Sequence, residues 1–88
     1  MNAENLIKLG LSKTESILYL KLINIGSSDV KTLIKETGFY KANVYDALER
    51  LCEKGIISKV IEGNKRVYQI QNPESLVRFI QQKGEEIA

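Results

Sequence analysis

At Gly55 the hydrophobic rhythm of this chain changes. Before it, apolar side chains recur every three to four positions. From Ile56 to Ile70, in "IISKVIEGNKRVYQI", the residues are β-branched and alternate, with a break at "EGNK"; after Pro73 the helical spacing returns. A 3.6-residue period and a two-residue period serve different backbones, because each keeps one face buried only in its own geometry. The chain is therefore held to helices, one hairpin, and a closing helix.

The helical part divides at glycines. "AENLIKLGL" places Leu6, Ile7 and Leu9 close together and ends at Gly10. In "LSKTESILYLKLINIG", Ser12 and Glu15 have capping-box spacing, and Ile17, Leu18, Leu22 and Ile25 form a broad apolar stripe up to Gly26. In "SSDVKTLIKETG", Ser28 or Asp29 is placed to cap a short helix whose inner side is Val30, Leu33 and Ile34, stopped by Gly38. A third helix over about 40–54 follows within three or four residues, with Val44, Ala47, Leu48 and Leu51 on one side. Two helices this close, the first short and ended by glycine, outline a helix-turn-helix. Tyr40 falls at the N-cap of the second, with Phe39 and Val44 at hydrophobic-staple spacing.

Beyond the two-stranded hairpin at about 57–70, with Lys65 and Arg66 at its tip, Asn72, Pro73 and Glu74 are suited to begin a helix with Leu76, Val77 and Ile80 inside and Phe79 adjacent. The fold class is mainly α with a small β-hairpin: a winged helix-turn-helix with an additional C-terminal helix. Residues 1–72 read as the winged domain and 73–88 as a C-terminal helix that is a candidate dimerisation element.

Composition narrows the function. The 88 residues include one cysteine and no histidine, which removes an internal disulfide, a cysteine-based zinc site, and the commonest general base and metal ligand together. No Gly-rich phosphate loop or nucleophile elbow occurs. No catalytic residue, metal or cofactor is assigned, and the chain is not read as an enzyme. No apolar run approaches the length of a membrane span and no signal-peptide pattern opens the sequence, so a cytoplasmic protein without a membrane partner is expected. Net charge is +2, but the excess lies in the middle: residues 31–68 carry eight bases and five acids.

That distribution matters because the front of the second helix-turn-helix helix is the groove-facing end in this fold. Lys41 can reach a phosphate or a guanine edge there, and Asn43 can pair with adenine through two hydrogen bonds. Arg50 lies further back on the same flank. Lys65 and Arg66 suit the DNA backbone or a narrow minor groove, while Ser28 and Lys31 can meet phosphate at a helix start. Each position also suits an ordinary solvated surface. Ala42, Asp46, Glu49 and Glu53 are expected to face outward. Asp46 has two readings, acceptor from a cytosine amino group or partner of Arg50 at i+4. Tyr45 also has two, a stacking contact with DNA or a half-buried flank of the core. Cys52 reads as a small, partly buried residue.

In order and spacing, "LGLSKTE", "TG…VYDALERLCEKGII" and "EG…YQIQNPESL" resemble the DNA-binding domain of the TrmB-like regulators, archaeal and bacterial transcription factors, over about residues 9–76. The resemblance implies a sequence-specific regulator that binds double-stranded DNA, and favours DNA contact by Tyr45 and Tyr40. It departs at Tyr40-Lys41-Ala42, where the family commonly has a Pro-Arg-Ser-like start: Ala42 has no donor, leaving contact with a thymine methyl. The sugar-binding C-terminal domain of longer members is not carried over, and no effector is assigned. A homodimer through the C-terminal helix would set two recognition helices about 34–36 Å apart, one turn of DNA. The competing reading is a winged-helix protein–protein interaction module of the transcription machinery.

Overall fold

Ser12 starts the central helix as its spacing indicates. Its hydroxyl accepts from the Glu15 amide at 3.1 Å, and the Glu15 carboxylate accepts from the Ser12 amide at 2.9 Å. The computed structural model describes residues 2–87, with the side chains of Pro73 and residues 82–87 left out of account. The elements run α1 (Ala3–Lys8), α2 (Lys13–Ile25), β1 (Ser28–Asp29), α3 (Val30–Thr37), α4 (Lys41–Glu53), β2 (Ile57–Glu62), β3 (Lys65–Ile70) and α5 (Pro73–Ile87). This is the winged helix-turn-helix, mostly helical with a small antiparallel sheet.

The buried side of α2 differs from the expected stripe. Glu15, Ser16, Leu18, Tyr19 and Leu22 are buried, whereas Ile25 is 42% exposed. The inner face is the series 15, 18, 19, 22, so a carboxylate completes a row that apolar pattern alone cannot find. Lys54 makes this tolerable: its ammonium lies 2.6 Å from Glu15 Oε2. Burial alone would raise the Glu15 pKa, but the Lys54 hydrogen bond and the Ser12 amide and hydroxyl outweigh it and hold the carboxyl below its ordinary value.

The helix-turn-helix is α3, residues 38–40, and α4. Gly38 occupies the left-handed region (φ 72°), and its amide bonds the Ile34 carbonyl, closing α3 as an αL cap does. Thr37 fastens the turn, donating to the Leu33 carbonyl at 2.7 Å and accepting from the Phe39 amide at 3.3 Å. Val44, Ala47, Leu48 and Leu51 bury one side of α4 against α2, as the i, i+4, i+7 pattern requires. Tyr40 stands at the N-cap but its side chain caps nothing.

The sheet has three strands, not two, in the order β1-β3-β2. Ser28 pairs with Tyr68 and Asp29 with Val67. A two-residue strand has no period to read, and its sequence is that of a helix start. The two roles coincide because an N-cap residue has extended backbone; Asp29 (φ −82°, ψ 169°) caps α3 by accepting from the Thr32 amide at 2.9 Å while it pairs with β3. The hairpin closes at Glu62↔Lys65 around Gly63 and Asn64. Of those two only Gly63 has positive φ (60°), the pattern of a type II′ turn.

The core gathers Leu6, Leu18, Leu22, Leu33, Val44, Leu48, Leu51, Ile56 and Tyr68. Asn72 begins α5 as expected, accepting from the Ser75 amide at 3.0 Å. The inner residues of α5 are Leu76 and Phe79, with Ile80 packed beside them, while Val77 is 52% exposed rather than inside. Ser75 hydrogen-bonds the Ile56 carbonyl at 3.1 Å, and the Lys54 ammonium stands 5.5 Å from the centre of the Phe79 ring, so α5 is docked on the end of α4.

Candidate nucleic-acid interface

Because α4 buries Val44, Leu48 and Leu51, its first turn is driven outward. Tyr40 is 83% exposed, and Lys41, Ala42 and Asn43 are exposed beside it. Tyr45 packs one flank on the core and leaves the other open, which is the half-buried reading of its sequence position. The Lys41 ammonium lies 5.9 Å from the centre of the Tyr45 ring, within range of a cation–π attraction.

Tyr45 also forms part of the wall of an open concavity of about 320 Å³ between α3, α4 and the hairpin tip. Lys31, Lys65 and Arg66 supply its cations; Asp29, Val30 and Asn64 complete it. Four of the nine residues singled out in the sequence, Lys31, Tyr45, Lys65 and Arg66, thus meet at one place, with Lys41 linked to them through Tyr45. Asn43 and Arg50 are exposed elsewhere on α4. Arg50 is paired with Asp46 at 3.1 Å, the i+4 alternative for Asp46.

Ser28 is set differently. It is 8% exposed, lies in β1, and its hydroxyl donates to the Gly26 carbonyl at 3.4 Å. The start of α3 is likewise occupied, since Asp29 takes the Thr32 amide that an incoming phosphate would use. Hydrogen bonds from the Thr32 side chain and amide hold the Asp29 carboxyl below its usual range, with Lys65 and Lys31 adding their charge. The basic concavity therefore contains one ionised acid.

Glu49 is not simply outward. It accepts from the Tyr68 hydroxyl at 3.3 Å and lies 3.6 Å from the Lys59 ammonium, so it points at the sheet. Tyr68 is buried, and burial, then the Glu49 charge and its hydrogen bond, push the phenol up to about 12. These contacts couple the wing to α4. The sequence contained Glu49 and Tyr68, but they stand 19 positions apart and no local pattern joins them. Ala42, Asp46 and Glu53 do face outward. Burial, then the charge of Glu49, raises the Cys52 thiol above its ordinary pKa, as suits a half-buried packing residue.

Comparison with known proteins gives the family and the fold. The family described as sugar-specific transcriptional regulator TrmB matches residues 6–74. The HTH-type sugar sensing transcriptional regulator TrmBL1 of Pyrococcus furiosus is 35% identical over 79 residues, which is 90% of this chain and 23% of that protein. The chain thus spans less than a quarter of that relative's length. Among solved structures, a possible transcriptional regulator from Methanosarcina mazei Go1 superposes with a TM-score of 0.77 at 22% identity, over 94% of this chain and 77% of that one. TrmBL2, an archaeal chromatin protein whose structure shows a novel mode of DNA binding, gives 0.78 at 23% identity, over 98% of this chain and 35% of its own. At these identities the two structures speak for the fold.

Proposed function

The chain belongs to the TrmB family of transcriptional regulators, and from that premise we propose that it binds double-stranded DNA sequence-specifically, with α4 in the major groove and the wing on the backbone or minor groove. The family is one of regulators, not of enzymes. The observation that carries the reading is the convergence of Lys31, Lys65 and Arg66 around Tyr45, beside the exposed first turn of α4. Lys41 and Asn43 are then the base-reading candidates and Ala42 is left to touch a thymine methyl. Lys31, Tyr45, Lys65 and Arg66 hold phosphates, which fixes register without carrying sequence information. Tyr40 and Arg50 lie at the two ends of this footprint. Ser28 supports the footprint indirectly, through its pairing with Tyr68.

A homodimer through α5 accompanies this reading. Its support is Val77, an apolar side chain left 52% exposed on a helix whose docking uses Ser75, Leu76 and Phe79. Two-fold pairing there suits a palindromic operator, and sedimentation equilibrium of wild type against Val77→Glu reads it directly: a wild type that stays monomeric at high concentration removes the dimer. Among the described residues no helix is long and apolar enough to cross a membrane, in keeping with action in the cytoplasm.

The footprint is tested by amide chemical-shift mapping with a short random-sequence duplex. Shifts centred on Lys31, Lys41, Tyr45, Lys65 and Arg66 support the reading. Shifts elsewhere, with these unmoved, remove it.

A further inference from the structure

The wing has two unlike sides. Alternation along β2 and β3 puts Tyr68, Lys59 and Arg66 on the face turned to α4, and Val60, Val67 and Glu62 on the other. Against that other face lies a second open groove, of about 480 Å³, bounded by the end of α2 and by α3. Its apolar floor is Ile25 and Val67, continued on the sheet by the cross-strand neighbour Val60. Its rim carries three carboxylates, Asp29, Glu36 and Glu62, against the single ammonium of Lys65.

The charge of this groove opposes that of the concavity facing α4, which has three cations and one acid. Three carboxylates against one ammonium disfavour a phosphate backbone as the occupant of this groove. No group of His, Cys, Asp or Glu among the described residues is arranged to hold a metal ion, so a cation site does not account for the acids. What matches a partly exposed aliphatic floor with an acidic rim is a protein segment with an apolar anchor between basic residues. We propose that this groove docks such a segment of a partner protein, an apolar side chain seated on Ile25 and Val67 and flanking Lys or Arg residues paired with Glu36 and Glu62. Asp29 and Lys65 border both concavities, so the docked segment and a phosphate backbone would meet along one edge of the wing. This inference stands on the groove alone and does not require the DNA reading.

The test uses a random-peptide display library panned on the wild-type protein and, in parallel, on Glu36→Lys/Glu62→Lys, whose fold is verified by circular dichroism. Peptides enriched on wild type and depleted on the variant are synthesised and titrated into isotope-labelled protein, with the Ser27, Thr32 and Val67 amides as reporters. The expected peptides carry Lys or Arg around an aliphatic or aromatic residue, shift those amides, and bind the charge-reversed variant about tenfold or more weakly. The proposal is overturned if selection enriches nothing, if the peptides are acidic or bind the variant equally, or if their shifts map to Lys31 and Tyr45. Shifts that grow with protein concentration and need no peptide also overturn it, since they assign the groove to a second copy.

Discussion

Asp46 holds Arg50: their carboxylate and guanidinium lie 3.1 Å apart, one turn from each other on the exposed side of α4. An exposed i, i+4 pair of this kind adds only about 0.3–0.5 kcal/mol to stability. Its consequence for DNA is larger, because it neutralises a cation that would otherwise seek phosphate and leaves a carboxylate near the groove. Asp46→Asn is expected to leave urea stability within about 0.5 kcal/mol while tightening non-specific binding and steepening the salt dependence by about one phosphate contact. Fluorescence anisotropy at several salt concentrations reads both. An unaltered affinity and slope would place the rear of α4 off the DNA.

Asp29 is expected to separate capping from charge. It caps α3 and borders the concavity of Lys31, Lys65 and Arg66. Asp29→Ser keeps a capping oxygen, so stability should change by only a few tenths of a kcal/mol, whereas Asp29→Ala should lose about 1. Both remove the same carboxylate and should strengthen duplex binding alike. If only one of them does, charge is not the reason.

Lys54 and Glu15 bind the ends of α2 and α4 together at 2.6 Å. Lys54→Met removes the ammonium from a buried carboxylate, and a loss of about 2–3 kcal/mol is expected in urea unfolding at neutral pH. The sign with pH follows from the lowered Glu15 pKa. Its contribution is complete above the unfolded-chain value near 4.5 and is lost as pH falls through the lower folded value. The stability gap between wild type and Glu15→Gln should therefore narrow progressively on acidification below that value. A gap that stays constant to low pH would mean that the carboxylate charge contributes nothing.

Tyr68 gives the opposite sign. Its phenol is raised from 10.0 to about 12, so stability from keeping it protonated is present below 10 and disappears as pH rises toward about 12. Wild type should lose stability across that window more steeply than Tyr68→Phe, measured by unfolding monitored through circular dichroism. Glu49→Gln should lower the pH at which the phenolate absorbance appears, because the charge that opposes ionisation is gone. Equal profiles for all three proteins would show that the Tyr68–Glu49 contact does not form in solution.

How far the sequence could be read depended on the range of the interaction. Local chemistry was legible: the Ser12–Glu15 box, the left-handed Gly38, the buried series on α4 and the Asn72 cap each rest on residues within seven positions. The Ser28–Asp29 strand was not, because two residues show no alternation and extended backbone serves cap and strand alike. Nor was the inward turn of Glu15 or Glu49, since each answers to a partner, Lys54 or Tyr68, far along the chain. Polar residues follow the apolar pattern only until a distant partner makes their burial tolerable. For the interface, the residue types were legible in Lys31, Tyr45, Lys65 and Arg66. Their meeting at one concavity was not, because it depends on how the wing folds back beside α3.

The most direct test of the central claim is anisotropy titration of a duplex across a range of salt concentrations, with wild type beside Lys41→Glu/Lys65→Glu/Arg66→Glu. If Lys31, Lys65 and Arg66 neutralise phosphates, log affinity should fall against log salt with a slope of about −2.7 per chain, and the charge-reversed protein, folded by circular dichroism, should lose binding at every salt concentration. Wild-type binding that is absent at low salt, or that survives the triple reversal with its slope intact, would contradict the account.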